Sequence, residues 1–143
     1  MNVGQMIGLR SSVFSIRDDA TVLDLAQYLR QKEVRAVGVM NAQGLLVGVV
    51  SQADISDKVA AENKCPAWVR VKEVMSSDMV KVKPSAELDE AARLMDQHGF
   101  YHLLVVDEAG KYHGMLSATD LLKVIALDEK ERADLLQQYV SQS

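Results

Sequence analysis

The chain has 143 residues, 48% of them hydrophobic and 25% charged but only 5% aromatic, so aliphatic side chains must fill the core of what reads as a globular protein. Sixteen Lys and Arg against twenty Asp and Glu give a formal net charge of -4. That balance argues against binding DNA or RNA as a polymer, which needs a basic surface to displace condensed counterions. No apolar run is long enough to span a bilayer, Met1 to Arg10 lacks a secretory pattern, and Cys65 is a lone cysteine. The expected compartment is the cytoplasm, with no membrane partner.

In chain order, Val13 to Ile16 alternates as a short strand does. Asp19 is the expected cap of a helix in which Val22, Leu25, Ala26 and Leu29 form one apolar stripe at i, i+3, i+4, i+7. Val34 to Met40 and Leu45 to Val50 read as two strands joined by the turn Asn41-Ala42-Gln43-Gly44. A second helix is expected from Ser51. Residues Glu62 to Arg70, with Cys65, Pro66 and Trp68, have no strong period and read as a connector.

The order then recurs 66 residues later without a gap. Met79 to Val82 mirrors the first strand, and Ser85 mirrors the capping position. Leu88, Ala91, Ala92 and Met95 repeat the helical stripe. Phe100 to Val106 and Lys111 to Leu116 repeat the hairpin around Asp107-Glu108-Ala109-Gly110. Gly114-Met115-Leu116-Ser117-Ala118-Thr119-Asp120 answers Gly48-Val49-Val50-Ser51-Gln52-Ala53-Asp54. The chain is therefore two β-α-β-β-α copies. The expected division is 1–62 for the first, 63–70 for the connector, 71–127 for the second, and 128–143 for a helical tail. In that tail Leu135, Leu136, Tyr139 and Val140 form the apolar side. One copy alone buries little, so both are expected to form one α+β folding unit.

The twice-present segment G-h-h-S-x-x-D (h apolar) has two readings. Ser-x-x-Asp is a capping box, a purely local device. The same geometry sets free N–H groups at a helix start, where a phosphate can sit, beside a carboxylate able to accept two hydrogen bonds from a ribose diol. Other features read as structure. His98, His102 and His113 do not show convergent metal-ligand spacing. Cys65 has no evident base beside it and reads as a partly buried thiol. The methionines read as core filler, and the run Asp128 to Arg132 as a solvated helix face. No phosphate loop or nucleophile elbow is present, so no enzyme is expected.

The duplicated unit resembles a tandem pair of CBS (cystathionine β-synthase) domains, the arrangement called a Bateman module. The resemblance covers nearly the whole chain and rests on both G-h-h-S-x-x-D segments, on the hairpin strands Val34 to Val39 and Tyr101 to Asp107, and on Val71-Lys72-Glu73-Val74-Met75. The order is also similar to small prokaryotic CBS-pair proteins. The resemblance implies two copies packed sheet to sheet about a pseudo-twofold axis, with clefts between them for an adenosine compound: AMP, ADP, ATP or S-adenosylmethionine. It implies no required cofactor and no metal. It assigns ribose binding to Asp54 and Asp120, contacts near ribose and phosphate to Ser51 and Ser117, and base or phosphate contacts to Arg35, Ala36, Tyr101 and His102. Ser15 and Lys81 occupy a further ligand-side position.

Some positions depart from the family pattern. Gly38 and Leu104 stand where many members have Pro, and Ala53 and Thr119 where many have Arg. Few cations are left for a triphosphate. The implied role is a regulatory sensor that forms a homodimer and acts on an unidentified regulated protein. The alternative is a dimerisation or partner-docking module with empty or vestigial clefts.

Overall fold

A computed structural model describes residues 1–8, 13–126 and 129–142. The chain opens with a short helix, α1 (Val3–Ile7), followed by β1 (Ser15–Arg17), α2 (Val22–Lys32), and the hairpin strands β2 (Ala36–Met40) and β3 (Leu46–Ser51). Then come α3 (Gln52–Ile55), a π-helical turn (Ser56–Ala60) and α4 (Val71–Val74). The second half holds β4 (Lys81–Val82), α5 (Leu88–His98), β5 (His102–Val106), β6 (Tyr112–Ser117), α6 (Ala118–Ile125) and α7 (Glu129–Gln142). Strands β1-β2-β3 form one sheet and β4-β5-β6 another, each with a parallel pair followed by an antiparallel hairpin. The class is α+β.

The packing units differ from the sequence repeats. One unit is Phe14–Met79, and the other joins Met1–Val13 to Val80–Ser143. The first has a core of Val22, Leu25, Leu29, Val37, Val39 and Val50, closed by Val69, Val71 and Val74 from the segment that leads into the second repeat. The core of the other unit contains Leu88, Ala91, Met95, Leu103, Val105 and Leu116, closed by Val3, Met6 and Ile7 of α1. The docking is the same in both. Val71 N–H donates to the Ala20 carbonyl and Val3 N–H to the Ala86 carbonyl, each at 2.8 Å. Lys72 and Gly4 N–H groups likewise donate to Asp18 and Pro84. A small sheet with one long helix buries little surface by itself. Each unit therefore takes a short apolar helix from the leader of the other repeat. The α7 tail adds Leu136, which is buried, and Leu135, which packs against the same core.

The helix starts also differ from expectation. Thr21, not Asp19, caps α2: its hydroxyl accepts from Asp24 N–H at 3.0 Å, while the Asp24 carboxylate accepts from Thr21 N–H at 3.2 Å. Asp19 instead pairs with Arg17 at 3.1 Å. On α5 the cap position is Glu87, not Ser85, and it makes no side-chain cap bond. The signal for α2 lay in Thr21-x-x-Asp24, immediately before the apolar stripe. The two hairpin turns match closely. Asn41 Oδ1 accepts from the N–H groups of Gln43 and Leu45, and Asp107 Oδ1 from those of Ala109 and Lys111. Gly44 and Gly110 then close the turns at φ +79° and +85°, where a side chain is disfavoured.

Candidate functional site

In each unit the hairpin feeds a strand directly into a helix, and that junction gathers most of the candidate residues. Ala36 lies opposite Ser51 in the β2–β3 register, and His102 lies opposite Ser117 in β5–β6. Gln52 N–H donates to the Arg35 carbonyl at 2.9 Å, and Ala118 N–H to the Tyr101 carbonyl at 2.8 Å. The structure thus brings Arg35, Ala36, Ser51 and Asp54 to one sheet corner, and Tyr101, His102, Ser117 and Asp120 to the equivalent corner of the other sheet. Ser15 and Lys81 are not at these corners. Ser15 pairs with Gly38 and Lys81 with Leu104, two residues further along their neighbouring strands. Ser15 N–H donates to the Tyr28 hydroxyl at 3.3 Å, and Lys81 faces outward, exposed.

Gly48 has a local steric reason. A Cβ there would sit 2.7 Å from Met75 Sδ and 2.9 Å from the Ser76 carbonyl oxygen, where β3 bridges the chain at Ser76.

The two corners use their motif residues differently. At the first, the Asp54 carboxylate is fully engaged. Its Oδ2 accepts from Ser51 N–H at 2.9 Å and from Ser51 Oγ at 3.2 Å, and its Oδ1 is 3.0 Å from Lys58 Nζ. Lys58 Nζ also donates to the Val74 carbonyl of α4 at 2.8 Å. At the second corner the capping runs the other way: Ser117 Oγ accepts from Asp120 N–H at 3.3 Å. Among the described residues no side-chain hydrogen bond or ion pair engages the Asp120 carboxylate. Its titratable neighbour across the hairpin is His102, whose pKa burial pushes below 6.5 while Asp120 opposes that shift.

Asp120 lines a cavity of ≈ 150 Å³ with Lys123 and with Gln138 and Tyr139 of α7. Sites for whole drug-sized ligands run to about 300–1,000 Å³, so this niche suits part of a ligand rather than a mononucleotide. Arg35 is exposed, and Tyr101 is 76% exposed, leaving its ring face open.

Lys58 is the residue that sequence reasoning missed. Its signal was a lysine four positions after the motif aspartate, the spacing at which helical side chains meet; Val124 stands at the same place in the second copy. The three histidines have separate surroundings. His98 stacks on Phe100, His102 begins β5, and His113 Nε2 lies 2.8 Å from Asp107 Oδ2. Among the described residues no group of three His, Cys, Asp or Glu is placed to hold a metal. Cys65 is exposed, not partly buried. No helix of the described residues is long and apolar enough to cross a membrane.

These paired corners belong to a known architecture. The CBS domain model matches residues 3–61 and 71–127, and the chain belongs to the CBS domain family, with two copies. It is 27% identical over 124 residues to an uncharacterized protein of Methanopyrus kandleri, covering 87% of this chain and 62% of that protein. Two further curated relatives are matched over only 21% and 38% of their lengths. Among solved structures, a CBS-domain protein from Burkholderia ambifaria is similar with a TM-score of 0.81 at 27% identity, covering 90% of this chain and 96% of that one. The CBS-domain protein CBSX2, solved in complex with AMP, is similar at TM-score 0.71 and 26% identity, covering 87% and 96%. A CBS pair is a regulatory module.

Proposed function

We propose that this chain is a non-enzymatic, cytoplasmic sensor of an adenosine compound, with AMP the first ligand to test and S-adenosylmethionine, ADP and ATP after it. The observation that carries this reading is the Asp120 corner. An unengaged carboxylate sits one turn into a helix capped by Ser117, beside the exposed Tyr101 ring and His102. An ionised carboxylate accepts both hydroxyls of a ribose diol, a helix start favours a phosphate, and an exposed aromatic ring offers a face to a base. The AMP complex of CBSX2 supports the ligand class. Exposed Lys81 and Lys123, the latter lining the cavity with Asp120, are the candidate partners for phosphate in this unit. Ala53 and Thr119 supply no charge, which favours a monophosphate over a triphosphate.

Binding regulates only if the ligand prefers one of two states. In this reading those states belong to a homodimer or to its complex with a regulated protein. Isothermal titration of AMP into the protein tests the proposal. Asp120→Asn should weaken AMP by about 2 kcal/mol, roughly 30-fold, through loss of charge-assisted diol bonds. A titration without heat for any of the four compounds, beside a stable dimer, would leave the docking-module reading in its place.

A further inference from the structure

The two motif aspartates are the same residue type at the same register, yet only one is available. An ionised carboxylate has about four lone-pair sites on its two oxygens, and a ribose diol needs two of them free. At Asp54 three are taken, two on Oδ2 by the Ser51 N–H and hydroxyl and one on Oδ1 by Lys58, so that loss of Lys58 frees Oδ1 for a diol. Lys58 is held by more than this contact. It lies on the π-helical turn Ser56–Ala60, a feature the equivalent α6 lacks, and its ammonium also binds the Val74 carbonyl at the last residue of α4. Such π-turns occur mostly as single insertions and often at functional sites. A cation on the last carbonyl of a helix is also favoured by the helix dipole. In the second copy Val124 takes the corresponding position and is buried in the core at 2% exposure, and Lys123, which lines the cavity with Asp120, makes no ion pair with it among the described residues.

We infer that Lys58 is an internal tether that occupies the diol-binding carboxylate of the first copy, so the second copy, through Asp120, takes the nucleoside ligand first. Ligand at the first corner must displace an ammonium already bonded to two acceptors. The chain thus has one ready site and one held closed, and weakening the Lys58 contact would open the second. This inference rests on the adenosine reading above and deepens it.

The test combines calorimetry with melting. AMP is titrated into the full chain as wild type, Asp120→Asn, Lys58→Met and the double variant. The expected pattern is one event per chain for wild type, one weakened at least tenfold in Asp120→Asn, two in Lys58→Met, and one retained in the double variant. A single event in Lys58→Met, or two equal events in wild type, overturns the inference. A ligand-free cycle of Lys58→Met and Asp54→Asn separates the tether from the ligand reading. Expected is a melting temperature for the double variant no lower than that of the less stable single variant; additive losses overturn the tether. Coupled melting with no AMP heat in any of the four titrated proteins overturns the adenosine reading.

Discussion

In the Phe14–Met79 unit a lysine bonds the motif aspartate and the end of α4, while in the other unit a valine at the same place is buried in the core. The difference shows how two copies of one unit can diverge at a single corner without a change of fold. Strand order, hairpin register and turn bonding are held in common, because each is fixed by backbone pairing and a few small or polar turn residues. What diverges is the side chain beside the carboxylate. One residue makes the difference: Lys58 lies 3.0 Å from Oδ1 of Asp54, and the valine at the same place in the second copy forms no such pair.

The largest effect that can break this comparison concerns the crossed leaders. Val71→Asp should cost more than about 3 kcal/mol, by burying an unpaired charge, and the loss should fall on the Phe14–Met79 unit although Val71 starts the second repeat. Val3→Asp should do the same to the other unit. Hydrogen exchange resolved by peptide reads which unit opens; loss of protection in the wrong unit would break the assignment.

The helix starts give the next effect. Thr21→Ala removes a capping hydroxyl and should cost about 1 kcal/mol, whereas Glu87→Ala should cost little, since Glu87 makes no side-chain cap bond. Denaturant unfolding measures both, and equal losses would remove the distinction.

A smaller effect comes from the helix ends. Glu33 ends α2 at φ +56°, and its counterpart Gly99 ends α5 at φ +69°. A left-handed terminus favours glycine, so Glu33→Gly should stabilise by about 0.5–1 kcal/mol. A lowered melting temperature would mean that the side chain of Glu33 outweighs its backbone strain.

The smallest expected effect is on pH. Burial holds the pKa of His102 below 6.5, so the unfolded chain takes up a proton before the folded one does. Stability is then highest with His102 neutral and should fall as pH drops through 6.5 toward the lowered folded value. His102→Gln should flatten that part of a melting-temperature profile. Asp120→Asn should steepen it, since Asp120 opposes the shift. The first copy has Ala36 at this position and contributes nothing to the slope.

Much of the fold was legible. The 66-residue period, the helical stripes and the glycine-ended turns needed only local pattern, because 3.6-residue and 2-residue periods follow from backbone geometry. The corner that sets Ser51 opposite Ala36, and Ser117 opposite His102, came from the strand register, and the sequence pointed to it through the family resemblance. The caps were misplaced by two residues, since Asp19 and Ser85 offer the same chemistry as the residue that caps α2 and precede the apolar stripe equally well.

By itself the sequence determined the duplication, the α+β class and the residue types at each motif, since these follow from composition and short-range order. Tertiary structure alone decided which leader helix closes which core, because that depends on which apolar face is left uncovered and not on nearness in the chain. It also decided that Asp54 is engaged and Asp120 is not. Two motifs of one pattern become different when a neighbouring helix end supplies a second acceptor that holds one lysine in place.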